Sequence, residues 1–344
     1  MIVISDCLTE KLDEGCLKVA NSLTWRLKKR FPNTRVVSYK RQSDRADINM
    51  DLNPLFVSNQ LRKLLKKYNT SVLYIPFSSN TKACAVRVWV LTKMTKNKVQ
   101  VIFTLRHPMD NLTKRILRNS GAEIITLSCD SYEFYKKEIG ENVRYLKTGV
   151  DTEKFKPVSI EQKRKLREKY HVSPDKKVVL HVGHLRESRN VDKLLLADER
   201  YHVFLLLSSV TENERDISLM EKFKNRSHTT IIDSYLENVE EIYQMSDVYL
   251  FPVQQQGGCI DLPLSVLEAA SCNVPIVTTE YGELRVFTEE PGFLYLSAFD
   301  YEQLNKALDT MANLTYCNNR NAVLNYDWNH SIDSFNAEAK RHGK

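Results

Sequence analysis

The chain has 344 residues, 42% of them apolar, with only 10 Gly and 10 Pro, which is too long for one ordinary core and too apolar for a disordered or fibrous chain. Its formal net charge of +7 is unevenly placed, since residues 1–150 hold 27 Lys and Arg against 13 Asp and Glu, while residues 151–344 hold 23 against 30. No run of about 18 apolar residues occurs, and the start MIVISDCLTEKLDEG lacks a basic stretch ahead of a long apolar one, so neither a span nor a signal peptide is indicated and a cytoplasmic protein is expected.

In chain order, MIVIS (1–5) reads as a strand, Leu17 to Phe31 as a helix and TRVVSY (34–39) as a second strand. Strand-type runs follow at 71–77, 99–105 and 122–128, separated by helical stretches at 55–68, 83–95 and 110–119. A polar, turn-rich passage, GVDTEKFKPVS (149–159), ends this series, and the charged helix 161–170 leads into another. Its strands are expected at 177–183, 201–208, 229–235, 247–253 and 274–280. Strands alternating with helices give mainly parallel, doubly wound sheets, so the fold class is α/β with two Rossmann-like domains facing a cleft. The seven cysteines are odd in number, scattered and without a CxxC pair, and read as reduced, mostly buried thiols without a disulfide frame or zinc site.

The stretch GGCIDLPLSVLEAASCNVPIVTTEYGELR (257–285) carries the most chemistry. Gly257 and Gly258 follow a strand and allow a close backbone approach. Pro263 suits the first turn of a helix built from LSVLEAAS (264–271). The N–H groups of Leu264, Ser265 and Val266, with the helix dipole behind them, form an anion site suited to a diphosphate. Asp261 and Glu268 are seven residues apart and so about two turns apart on one helix face, roughly 10 Å by helix rise. They are placed to bracket a sugar nucleotide, Glu268 at the ribose and Asp261 at the sugar. Taken alone, Asp261 reads more readily as an N-cap and Glu268 as a solvated helix residue.

With PLSVLEAASCNVPIVTT the chain resembles the donor-site signature of the retaining glycosyltransferases of family 4, which have the GT-B fold. Three further segments match in order: GVDTEKFKP (149–157) is similar to the family's interdomain sequence, HVGHLRESRNVDKLL (181–195) to its first donor loop, and YLENVEEIYQMSDVYLFP (235–252) to the stretch before the signature. YDWNH (326–330) is similar to the start of the last helix, which crosses back to the N-terminal domain. The resemblance implies an acceptor-binding domain over 1–152, rejoined by a C-terminal helix 327–344, and a donor-binding domain over 156–326. Carried over residue by residue, it implies donor contacts from Gly183, His184, Arg186, Arg189, Tyr235, Leu236, Gly257, Gly258, Leu264, Ser265, Val266 and Glu268. His184 and Arg189 stand where the family has Arg and Lys, and Arg189 keeps the charge that forks onto phosphate oxygens. The family's first glutamate position is Ile260 here, with Asp261 one residue on.

In the N-terminal half, VIFTLRHP (101–108) resembles a strand end that carries a cleft histidine, one residue longer than usual, which makes His107 the candidate contact for the transferred sugar or acceptor. The Glu14–Gly15 turn occupies the place of the family's flexible phosphate and acceptor loop. The implied reaction moves a hexose from a UDP- or GDP-linked donor, with retention, to a hydroxyl of a glycan or lipid-linked acceptor, without cofactor or metal. The basic stretches 23–31, 61–68 and 113–118 suggest docking on anionic lipid, which would place the protein peripherally at the membrane inner face. The alternative is a nucleic-acid-binding or nucleic-acid-glycosylating protein that uses the same basic half.

Overall fold

Short apolar strands and capped helices build two parallel sheets in this computed structural model, which describes residues 1–79, 81–208, 216–257 and 259–333. The first half runs β1 (Ile2–Ser5), α1 (Gly15–Arg30), β2 (Arg35–Tyr39), β3 (Ile48–Met50), α2 (Asn59–Tyr68), β4 (Val72–Ile75), α3 (Lys82–Met94), β5 (Val99–Phe103), α4 (Asn111–Ser120), β6 (Glu123–Thr126), α5 (Cys129–Ile139) and β7 (Val143–Tyr145). Helix starts follow from side chains: Ser58, Thr81, Asp110 and Ser128 each accept the backbone N–H three residues on, satisfying a donor the helix cannot use. The sheet order is β3-β2-β1-β4-β5-β6-β7 with every pairing parallel. The helices α2, α3, α4 and α5 pack side by side in that order, over a core that includes Ile4, Tyr74, Leu91 and Ile124.

The second half runs α6 (Ile160–Lys169), β8 (Lys177–Gly183), β9 (Tyr201–Leu207), α7 (Ile217–Lys224), β10 (Thr229–Ile232), α8 (Glu240–Met245), β11 (Val248–Phe251), α9 (Leu264–Ser271), β12 (Ile276–Thr278), β13 (Phe293–Tyr295), α10 (Tyr301–Ala312) and α11 (Asn319–Val323). Its order, β10-β9-β8-β11-β12-β13, is again all parallel. The direction of winding reverses between β8 and β11, and loops leaving the carboxyl ends of such strands are where open α/β sheets bind ligands. A separate core containing Val179, Leu205, Leu250 and Leu308 closes this sheet.

The chain divides into two units at Thr148 and Gly149, and the first unit also takes Cys259–Asp261 and the residues from Trp328 on. The helix expected from 327 begins one residue later: Asp327 is bridged to Val150, and its carboxylate accepts the Thr152 hydroxyl at 2.6 Å. Residues 334–344 of that expected helix lie outside the described residues. Of the seven free thiols only Cys7, Cys84 and Cys272 are buried, and Cys129 is exposed. The expectation of mostly buried thiols is corrected accordingly. Among the described residues no helix is long and apolar enough to cross a membrane.

Candidate active site

The loop leaving β8 is shaped by its glycine and fastened by an asparagine. A Cβ at Gly183 would stand 3.2 Å from Nε2 of His181, a contact tight enough to displace the ring. That ring is buried with Nδ1 3.0 Å from the Leu250 carbonyl of β11. Burial pushes the imidazole down to about 4, so it is neutral near pH 7 and donates Nδ1–H to the carbonyl. His184, Arg186 and Arg189 are half-buried. They lie on tight turns, with Arg186 N–H on His184 O at 3.1 Å and Arg189 N–H on Arg186 O at 3.0 Å. Asn190 is left-handed at φ 53°, and its side-chain amide donates to Pro252 O and Gln254 Oε1, both at 3.1 Å. The basic loop is thereby tied to the loop leaving β11.

The β11 loop turns at Gly257, whose φ of 81° favours glycine, and Gly258 lies outside the described residues. Ile260 is buried, and its side chain stands 3.7 Å from where a Cβ on Gly15 would be. Asp261 precedes the helix and is 6% exposed. Its Oδ2 accepts the hydroxyls of Ser128 at 2.7 Å and Ser131 at 2.6 Å, while Arg106 reaches Oδ1 at 3.4 Å. Asp261 therefore neither caps α9 nor shares a helix face with Glu268, because the helix begins only at Leu264, with Pro263 at its N-cap and no side-chain cap.

The amides expected to bind an anion narrow to two. Val266 N–H already donates to Pro263 O at 3.1 Å, and Leu267 N–H to the same oxygen at 3.3 Å. Among the described residues, the N–H groups of Leu264 and Ser265 have no acceptor. Glu268 lies in the second turn at 4% exposure, which rules out a solvated side chain. Its Oε2 accepts the Tyr243 hydroxyl at 2.7 Å. Burial, and next the Glu268 charge, push the Tyr243 phenol far above its ordinary value, so it remains the donor of this bond.

The other expected residues fall as follows. Tyr235 and Leu236 are half-buried between β10 and α8. Gly15 is not in a loop: it is the first residue of α1, with Glu14 at the N-cap. His107 is exposed, beyond β5. Before it, buried Thr104 has Cys16 Sγ 3.3 Å from its hydroxyl, and Tyr135 donates to Leu105 O at 2.7 Å. Sequence reasoning missed Tyr243, Asn190, Arg106, Ser128 and Ser131. Ser128 had a local signal, because a serine just before a helical stretch is a preferred N-cap, but Ser131 and Tyr243 had none. Among the described residues, no three His, Cys, Asp or Glu side chains are grouped so as to hold a metal.

Residues 162–325 match the family model described as glycosyl transferases group 1. An alpha-galactosylglucosyldiacylglycerol synthase of Streptococcus pneumoniae (strain ATCC BAA-255 / R6) is 26% identical over 158 residues, a match covering 43% of this chain and 41% of that protein. The chain thus spans about two fifths of that relative's length. A glycosyltransferase crystal structure from Rickettsia africae superposes with a TM-score of 0.80 at 13% identity, over 99% of this chain and 98% of the other. Anabaena HepE in complex with UDP-glucose gives 0.77 at 14% identity, over 99% of both chains. At these identities the likeness is one of fold.

Proposed function

We propose that this chain, whose residues 162–325 match the glycosyl transferases group 1 and whose fold is of the GT-B type, transfers a hexose from a UDP- or GDP-linked donor to a hydroxyl of a glycan or lipid-linked acceptor. The anomeric configuration is retained and no metal takes part. The observation that carries the reading is buried Glu268 on α9, behind a helix start whose Leu264 and Ser265 amides have no acceptor among the described residues. A buried carboxylate able to accept further hydrogen bonds suits the ribose hydroxyls of a nucleotide.

In the proposed transfer, the bond between the anomeric carbon and the β-phosphate oxygen breaks through an oxocarbenium-like state, and negative charge grows on the diphosphate. The amides of Leu264 and Ser265 receive that charge, together with Arg189, Arg186 and His184. Positioned donors of this kind are worth roughly 3 kcal/mol each. The leaving diphosphate takes the acceptor proton, so no protein nucleophile is required. Asp261, committed to two hydroxyls and Arg106, is assigned to holding the loop rather than to the sugar. His107 is kept as the acceptor-side candidate because it is exposed.

The test is a thermal-shift and hydrolysis screen against UDP-, GDP- and ADP-sugars. One uridine or guanosine diphosphate sugar should stabilise the chain and be hydrolysed slowly without acceptor or divalent cation. A protein indifferent to the whole panel would overturn the assignment.

A further inference from the structure

Four consecutive carbonyls at the exit of β11 each accept a side-chain donor. The oxygens of Leu250, Phe251, Pro252 and Val253 are met, in that order, by His181 Nδ1 at 3.0 Å, Thr278 Oγ1 at 3.2 Å, Asn190 Nδ2 at 3.1 Å and Thr279 Oγ1. The donors come alternately from the β8 side and from β12 and its end. The pairing of β11 with β8 stops at Tyr249 and that with β12 at Phe251, and backbone oxygens beyond a ladder need partners of another kind. Three of the four donors, His181, Thr278 and Thr279, are buried. The fourth, Asn190, is half-buried on the basic loop and joins that loop to the row of carbonyls.

The backbone of Asn190 ends one 3₁₀ turn and opens the next. Its N–H donates to Glu187 O at 2.8 Å, and its carbonyl accepts Lys193 N–H at 3.1 Å. That junction needs a φ of 53°, which glycine adopts at no steric cost and asparagine tolerates. Glycine would supply the turn alone. Asparagine adds an amide, and both of its hydrogens are used, on Pro252 O and Gln254 Oε1 at 3.1 Å each. Gln254 carries the tie onward by donating Nε2–H to Ser297 O at 3.0 Å, so the loops leaving β8, β11 and β13 are linked. Arg189 immediately precedes the junction. Burial lowers the His181 imidazole first, and the charges of Arg189 and His184 lower it further, which puts the Arg189 guanidinium near the start of the carbonyl row.

We propose that Asn190 is a positioning residue for Arg189, fixing through its two amide bonds where that guanidinium stands relative to the segment that runs on to the Gly257 turn. The inference rests on the donor reading of this site, in which Arg189 meets the diphosphate as its charge grows. A donor aimed at developing charge stabilises the transition state only when it is held in place beforehand, and a long arginine side chain on a loop of 3₁₀ turns needs a fixed base to be so held. The two acceptors lie on the one segment whose course is set by buried side chains on both sides, which makes it such a base. If the left-handed turn were the whole role of this residue, the amide would be dispensable.

The experiment compares Asn190→Gly, which keeps the backbone angle and removes the amide, with Asn190→Asp, which keeps the size and has no hydrogen to donate. Each is measured in the full chain by hydrolysis of the sugar nucleotide that the screen selects and by calorimetric titration with inorganic pyrophosphate, alone and combined with Arg189→Ala. Both variants should lose about 10-fold in kcat and in pyrophosphate affinity, the worth of hydrogen bonds that hold a charged donor, while donor KM changes less. In the Arg189→Ala background neither should lose anything further, because residues that act through one another are not additive. An Asn190→Gly chain equal to wild type leaves only the turn, and losses that add to those of Arg189→Ala place the action of Asn190 elsewhere; either result overturns the proposal. A wild-type chain that hydrolyses its donor while both variants stay normal sinks only this inference. One that binds pyrophosphate in the expected pattern but hydrolyses no sugar nucleotide sinks only the proposed function, and one indifferent to both ligands sinks the two together.

Discussion

Burying a carboxylate to 4% exposure is costly unless it is hydrogen-bonded, and at Glu268 the Tyr243 hydroxyl supplies one such bond. The proposed ribose hydroxyls would supply more. Glu268→Ala should therefore raise the donor KM about 10- to 100-fold, the worth of hydrogen bonds to a charged group. Tyr243→Phe leaves the carboxylate in place and removes this one hydroxyl, and should raise KM less, with kcat nearly unchanged. Steady-state donor hydrolysis separates the two, and a Glu268→Ala enzyme with normal donor kinetics would remove the residue from the site. Glu268 was legible in the sequence because the helix, the glycine turn and the carboxylate lie within a dozen residues. The partners of Asp261 were not, because Ser128 and Ser131 stand 133 and 130 positions away and no local spacing encodes such a contact. The seven-residue interval that suggested a shared helix face failed for a simpler reason: three of those positions precede the helix.

At the level of elements, α6 is attached to the second sheet by charge. Lys163 and Arg167 both pair with Asp247, just before β11, and Val178 N–H of β8 donates to the same carboxylate at 2.7 Å. Burial alone would push the Asp247 carboxyl up, but the two cations and the amide outweigh it and hold it below its ordinary value of 3.8. With the folded pKa depressed, the stabilisation is complete above that ordinary value and is lost as pH falls through the lower folded one. Asp247→Asn should cost about 3 kcal/mol in denaturant unfolding at pH 7, and the gap to wild type should shrink only in the acid range below 3.8. A gap that persisted unchanged there would refute the ion-pair account. Long elements were readable from their periodicity: β8 was expected at its observed limits. The strands β3, β7, β12 and β13 have three residues each, fewer than a two-residue alternation needs to show itself, and only β12 was expected, from the longer apolar run VPIVTTE around it. The segment 181–195, matched to the family's first donor loop, carries two 3₁₀ turns after β8, separated by Asn190, which breaks the run with a left-handed residue.

Across the whole molecule each unit closes its own core, so calorimetry should resolve two transitions rather than one. A UDP- or GDP-type ligand held by residues 183–189 and 264–268 stabilises only the state that binds it. At a concentration near 100 times its Kd it should add about 2.7 kcal/mol to one transition and leave the other in place. Equal shifts in both transitions would argue against a donor site confined to the second half. Two sheets and their order of appearance were legible from alternation, and the basic first half was legible from simple counting. Which of its helices lie beside one another was not, because that depends on the lateral order of elements from separate segments.

The assignment of Cys259–Asp261 to the first unit bears on synthesis as well as architecture. Domains generally fold from the N-terminus as the chain emerges, yet Ser128 and Ser131 cannot meet their carboxylate until more than a hundred further residues have been made. Loops of that length close slowly, because their entropy must be lost before the contact returns any energy. The first sheet can assemble early, but its last buried hydrogen bonds must wait for the second half of the message.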